Sequence, residues 1–442
     1  MHTDISMTSE YALRSKALPA AQAPKPYAFY LLFLLALVNL LNVFDKLILS
    51  MALEPIKQEF GLSDGQMGLI AGLSLALFNA LAMVPIGMLA DRTNRRNLIS
   101  VCLAIWSLAT ACGGMASNWI QLLLTRVIVG IGEAGGGPPS LSMISDTFPP
   151  EKRATVLSIF SLTTAMGGML ALALGGWMVS HYGWRTTLIA AGAPGLVISL
   201  LLFLTVKEPA RAGRCSADAR PADRPGLKRV FGYFWTCRSL RHIGLGIMLI
   251  AFVISAIAAW TPAYLMRTFD VPLGQVGFML GGASLVALVG APLGGVLADR
   301  LARRDRRWWC WVVAITVGLG GLFLLGFTTA STTAAAIGFF AAYTFVIAVW
   351  YGPSYGMVQT LVVPQMRATM TAICYMGGNV IGFGLGTQSI GLLSDALRPV
   401  AGAESLRYAM MILVAVAGWA VLHFMMAART LREDLATVDE RQ

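Results

Sequence analysis

Uninterrupted runs of apolar residues, about twenty long, alternate along the chain with short polar breaks. Six of these runs, near residues 27–51, 67–90, 98–116, 120–144, 156–180 and 188–206, precede a polar stretch. Six more follow it, near 243–266, 276–298, 311–327, 334–358, 369–393 and 409–428. Each is long enough to cross about 30 Å of hydrocarbon as a helix. None alternates with the period of two that a membrane-barrel strand requires. The pattern therefore predicts an all-α membrane protein of twelve transmembrane helices. The expected units are a cytoplasmic tail at 1–26, a six-helix bundle at 27–207, a linker at 208–241, a second bundle at 242–429 and a tail at 430–442.

Composition supports the pattern. Of the 442 residues 57% are hydrophobic and 12% charged, with mean hydropathy +0.69. Water-soluble domains of this length would lack polar side chains to cover their surfaces. The six cysteines, Cys102, Cys112, Cys215, Cys237, Cys310 and Cys374, show no paired or zinc-like spacing and read as inert packing residues.

A net charge of +11 invites a nucleic-acid reading, which the placement of the charges removes. With the amino terminus inside, only Lys57, Arg185, Arg267, Arg398 and Arg407 fall outside. Lys46 and Arg126 lie within apolar runs, and the other 26 of the 33 Lys and Arg are cytoplasmic. That is the positive-inside asymmetry of an inner (plasma) membrane protein with both termini in the cytoplasm. The linker, with Arg211, Arg214, Arg220, Arg224, Lys228 and Arg229 among Pro, Ala and Asp, has too little apolar content to fold alone. Phe231, Tyr233, Phe234 and Trp235 at its end, and Trp308, Trp309 and Trp311 after a basic run, suit the headgroup region.

The two halves repeat. Gly87-Met88-Leu89-Ala90-Asp91-Arg92 with Arg95 and Arg96 closes the second run. Gly295-Val296-Leu297-Ala298-Asp299-Arg300 with Arg303 and Arg304 closes the eighth. Arg153-Ala154-Thr155 before the fifth run returns as Arg367-Ala368-Thr369 before the eleventh. Two pseudo-symmetric six-helix bundles follow.

Twelve runs in two halves, with G-x-x-x-D-R-x-x-R-R after the second and its copy after the eighth, resemble the major facilitator superfamily of secondary transporters over roughly 27–430. Within it, Arg126 to Gly135, Pro139-Ser140, Ser145-Asp146, Phe148-Pro149 and the acid Asp45 are similar to the Spinster family. Asp45-Lys46 stands here where that family often has Asp-Arg. The resemblance implies proton-linked movement of lysolipids or sphingoid phosphates. It also implies that Asp91, Arg92, Arg95 and Arg96, with Asp146 and Arg153, form a charge network that shuts the intracellular gate, Asp91 lying near the start of helix eleven. Asp299 and Arg300, with Arg303 and Arg304, repeat the motif, and Gln365 stands where the first half has Glu151 or Lys152. A plain positive-inside cluster is the alternative reading of both loops.

Charges inside a bilayer must be paired or hydrated, which singles out Asp45, Lys46, Arg126 and Glu133, with Asn42 one turn before Lys46. Arg126 and Glu133 are two helical turns apart and share a face, and Asp45 is expected at a similar depth, where it can pair with Arg126. Desolvation favours a protonated acid and a neighbouring guanidinium favours its anion, so such a group can take up and release a proton. An arginine fork can also hold a phosphate or carboxylate in competition with those acids. A static ion pair locking helices one and four is the alternative. The second half offers instead Trp260, Tyr264, Tyr343, Trp350, Tyr351 and Asn379, a wall suited to an alkyl chain with a few polar contacts.

Other signals carry no chemistry. Gly130-Ile131-Gly132-Glu133-Ala134-Gly135 fits G-x-G-x-x-G but lies inside an apolar run, where glycines serve close helix packing. The four histidines form no cluster in the sequence, and no Walker A motif is present. The chain is thus expected to be a secondary transporter, not an enzyme, without cofactor or metal, acting as a monomer. Its expected partners are a single-chain amphiphilic lipid, protons and the surrounding lipids, with no nucleic acid. A proton-linked carrier of a hydrophilic organic anion or drug is the rival reading. An intramembrane lipid-modifying enzyme would need a convergent acid, base and nucleophile that the runs do not supply.

Overall fold

The computed structural model describes residues 26–209 and 226–439. The amino-terminal tail, the linker arginines Arg211, Arg214, Arg220 and Arg224, and Cys215 lie outside the described residues. Every described element is helical.

In the first half α1 is Pro26–Phe60, α2 Asp64–Arg92, α3 Arg95–Gly113, and α4 the two segments Trp119–Glu133 and Gly137–Thr147. The next run, Pro150–Thr205, is continuous in its hydrogen bonds but turns at Gly183 (φ 75°, ψ 164°). That backbone conformation, costly for any residue with a Cβ, separates α5 (150–182) from α6 (184–205). A short helix, Leu227–Thr236, leads into the second half. There α7 is Arg238–Phe269, α8 Leu273–Ala302, α9 Trp308–Thr329, α10 Thr333–Thr360, α11 spans 367–401 and α12 is Ser405–Asp439.

Nine of these helical stretches are individually long and apolar enough to cross a membrane. The turn at Gly183 and a second one at Gly402 (φ 56°) each divide one of the nine into two spans. Helix α4 is counted out only because it is broken. That break, at 134–136, interrupts a run the sequence reads as continuous. Pro138 and Pro139 lack the N–H groups needed to bond back across it. Helix starts are set by short polar side chains: Asn94 accepts from Asn97 N, Asn118 from Gln121 N and Thr332 from Ala335 N. Ser63 and Gln66 form a reciprocal capping box at the start of α2.

Two ends differ from the sequence expectation. Helix α12 continues to Asp439, and α7 begins at Arg238, within the expected linker. The short helix also has a buried face: Val230 and Phe234 pack inward while Phe231 and Trp235 stay exposed.

The largest apolar cluster joins both halves, with Ile48, Met51, Ile56 and Met67 from the first and Trp260, Tyr264 and Ile390 from the second. A separate cluster around Leu31, Leu35, Trp106, Phe148 and Leu202 belongs to the first half alone. The halves are therefore fused at one end. This end lies away from the basic face, which carries Arg92 to Arg96 and Arg303 to Arg307.

Candidate functional site

Helix α1 presents two chemistries on adjoining faces. Asn39, Asn42 and Lys46 line a polar pocket with Asn79, Glu133 and Tyr375. Val43 and Leu47 line a largely apolar cavity of about 370 Å³ with Gly168 and Met169 of α5, Ile257 of α7, and Tyr343 and Trp350 of α10.

All four charges singled out in the sequence are drawn together. Lys46 Nζ stands 3.2 Å from Glu133 Oε2 and donates to Asn42 Oδ1 at 3.0 Å. Asp45 is buried and accepts from Thr110 Oγ1 of α3 at 2.6 Å. Arg126 is wholly buried against Gly113, and its Nε, Nη1 and Nη2 have no hydrogen-bond acceptor among the described residues. A direct Asp45–Arg126 pair, expected from depth alone, is not formed. Thr110 takes one oxygen of the acid, and the other, Oδ1, is also unpartnered. A buried guanidinium needs an acceptor, and an anionic group is one that can supply it.

The aromatic wall needs correction. Tyr343 and Trp350 line the apolar cavity, but Trp260 and Tyr264 are fully buried in the fused end. Trp260 Nε1 donates to Thr387 O at 2.9 Å, and Tyr264 donates to the carbonyls of Phe327 and Thr328 at 3.3 Å. A buried N–H or O–H must find an acceptor, and helix carbonyls supply it there. Tyr351 is exposed, its ring 4.7 Å from that of Tyr355, and Asn379 is half-buried outside both cavities.

The gate residues divide. Arg95 is buried and donates to Glu208 Oε1 at 2.7 Å, Asp146 Oδ2 at 2.5 Å and Ser142. Arg96 donates to the carbonyls of Phe203 and Val206. Arg153 Nε donates to Phe148 O. Asp91, Arg92, Asp299 and Arg300 are exposed, and Asp299 accepts weakly from Trp309 Nε1 at 3.4 Å. The first turns of α11, Arg367–Gly377, pack on the second half's own α7 and α10 and on the short helix.

The polar contacts that bridge the halves among the described residues gather at the fused end. Arg267 of α7 sits between Glu54 and Asp64, and Lys57 adds a 2.5 Å pair to Asp64. Asp395 of α11 accepts from the backbone N–H groups of Asp64 and Gly65, Ser394 donates to Asp64, and Gln388 donates to Gly65 O. The sequence reading missed this set. The capping box Ser63 to Gln66 was its visible trace, since it fixes Asp64 and Gly65 in the first turn of α2. Thr110 and Tyr375 left no such trace. The histidines need a further correction, because α7 and α12 pack side by side and bring His242 and His423 within 2.9 Å.

The glycines of the G-x-G-x-x-G run serve packing: Gly130 abuts Leu75 O of α2, while Gly132 and Gly135 abut Trp106 and Cys102 of α3. No grouping of His, Cys, Asp or Glu suited to a metal occurs among the described residues.

Comparison with known proteins agrees with this architecture. Residues 35–387 match the family model of the Major Facilitator Superfamily. An MFS-type efflux pump of Mycolicibacterium smegmatis is 32% identical over 407 residues, covering 90% of this chain and 92% of that protein. Protein spinster homolog 1 of Homo sapiens is 31% identical over 393 residues, covering 82% and 72%. The crystal structure of a bacterial homolog of the human lysosomal transporter Spinster, in an inward-facing and unoccupied conformation, superposes with a TM-score of 0.84 at 29% identity. That match covers 93% of this chain and 99% of that one. The chain belongs to the Major Facilitator Superfamily, as a multi-pass membrane transporter, not an enzyme, that resembles the Spinster proteins.

Proposed function

We propose that the protein is a proton-coupled transporter of a single-chain amphiphile with an anionic or zwitterionic head, of the lysophospholipid or sphingoid-phosphate kind. The observation that carries this reading is Arg126, wholly buried, without an acceptor among the described residues and in the field of Asp45 and Glu133. An anionic head placed on Arg126 competes with the two acids for its field, so protonating an acid frees the guanidinium for the head and couples proton uptake to head-group binding. The apolar cavity on the neighbouring face of α1 suits the chain.

With the basic face in the cytoplasm, as the charge asymmetry favours, both termini are cytoplasmic, the protein sits in the plasma membrane and the fused end is extracellular. The state described is then inward-facing. Asp45, Glu133 and Arg126 carry coupling and head-group binding, Lys46, itself held by Asn42, pairs with Glu133, and the Asp91–Arg92 motif belongs to the gate on the basic face. The chain acts as a monomer.

The test is flux in proteoliposomes with and without an imposed pH gradient. The expected result is saturable, gradient-driven movement whose affinity rises with chain length, since each buried methylene contributes roughly 0.8 kcal/mol before losses. A second reading, with which an efflux pump among the relatives is compatible, is a proton-linked carrier of a hydrophilic organic anion or drug. If head groups without chains compete as well as the amphiphile, that reading replaces the first.

A further inference from the structure

The two copies of the arginine motif meet different fates. In the first half Arg95 and Arg96 are consumed by Asp146, Glu208 and backbone carbonyls. Their counterparts, 208 residues on, are Arg303 and Arg304. Aligning Arg153-Ala154-Thr155 with Arg367-Ala368-Thr369 puts Thr360 at the repeat position of Asp146. Its hydroxyl is turned back onto Gly356 O. Arg303 and Arg304 are exposed, and neither guanidinium has an acceptor among the described residues.

These two forks line a cavity of about 550 Å³ between the α8–α9 loop and the end of α12, together with Arg306, Arg432 and the apolar Ala302 and Leu435. The acid in that lining, Asp305, is already engaged. It accepts from Arg307 N at 2.9 Å and Arg307 Nε at 3.0 Å, and Arg432 Nη2 lies 2.8 Å from its Oδ2. The Arg307 backbone N–H, aided by the two guanidinium groups, holds its carboxyl below the usual range. The pocket is thus strongly cationic. Beside it Trp308 and Trp311 meet edge to face at 5.2 Å with Arg307 over the Trp311 ring, an aromatic set that marks headgroup depth.

We propose that this pocket binds the phosphodiester headgroup of an anionic phospholipid from the leaflet on the basic face. Planar forks suit phosphate oxygens, the apolar residues suit the glycerol and upper acyl carbons, and the membrane presents this ligand at high local concentration. The site is separate from the Arg126 pocket and does not depend on what the protein transports.

Native mass spectrometry of the purified full-length protein in neutral detergent, equilibrated with phosphatidylglycerol or phosphatidylcholine, tests it. The wild type should retain phosphatidylglycerol preferentially, and Arg303→Gln with Arg304→Gln should lower that retention roughly tenfold or more. The double lysine variant, which keeps the charge but loses the forks, should fall between. Arg398→Gln, at the fused end, should match the wild type. Equal retention by the double glutamine variant, or no preference for the anionic lipid, overturns the site. Displacement of the lipid by millimolar inorganic phosphate also overturns it, by reassigning the pocket to a soluble phosphate.

Discussion

Arg267 forks onto Asp64 across the two halves: Nη1 donates to Oδ2 and Nη2 to Oδ1, both at 2.8 Å. The same arginine holds Glu54 Oε2 from Nε and Nη2. One side chain of α7 thereby ties the end of α1 and the start of α2 to the second half.

Arg267→Ala should release that tie. Removing one partner of a nearly buried ion cluster costs about 3 kcal/mol, enough to shift a two-state population roughly a hundredfold. Distances between spin labels at Met115 and Ser331, exposed on loops of opposite halves at the fused end, should lengthen. An unchanged distance distribution would show that the apolar contacts and the bonds from Asp395, Ser394 and Gln388 keep this end shut without Arg267.

Asp45→Asn and Glu133→Gln should each abolish pH-driven transport while leaving the protein folded, because neither amide can release a proton. Arg126→Lys should lower transport tenfold or more, since a point charge replaces a planar fork. If both acid variants respond to a pH gradient as the wild type does, coupling through these groups is excluded.

Gly277 of α8 meets α5 so closely that an added Cβ would lie 3.0 Å from the Gly176 Cα. Gly277→Leu should therefore destabilise the protein by about 2 kcal/mol or pry the halves apart. A melting curve together with the same label pair separates the two effects.

Arg95→Ala leaves Asp146 and Glu208 facing each other without their shared cation. Both acids keep some access to water, so the expected loss is about 2 kcal/mol, less than for a fully buried pair. Adding Glu208→Gln should restore part of the lost thermal stability, and strict additivity would mean the two residues are not coupled.

A cysteine at position 220, in a background without native cysteines, should be labelled only from the cytoplasm, as the charge asymmetry requires. Labelling from outside intact cells would invert the topology and with it the assignment of the faces.

The spans were legible because a bilayer demands unbroken apolar length, and the four intramembrane charges because that demand makes them conspicuous. Their pairing was not legible. Depth along a helix put Asp45 level with Arg126, but rotation about α1 and the approach of Thr110 decide which groups touch, and neither is encoded in spacing. The fused end was hidden for a related reason. Glu54, Asp64 and Arg267 sit at helix ends, where isolated charges are ordinary, and only the folded halves bring them together. Trp260 and Tyr264 were misassigned because an aromatic ring looks the same in sequence whether it lines a cavity or fills a core.

Helices α2 and α11 each contain a stretch of wider π turns, Leu69–Leu73 and Gly378–Gly386, and these stretches abut where Gly72 meets Phe383 O and Gly384 meets Leu73. A π turn holds one residue more than an ordinary helical turn. That surplus can slide along the axis one hydrogen bond at a time, re-aiming everything beyond it without melting the helix. A change of shape routed through these two helices would be a matter of local rewinding, with the secondary structure kept throughout.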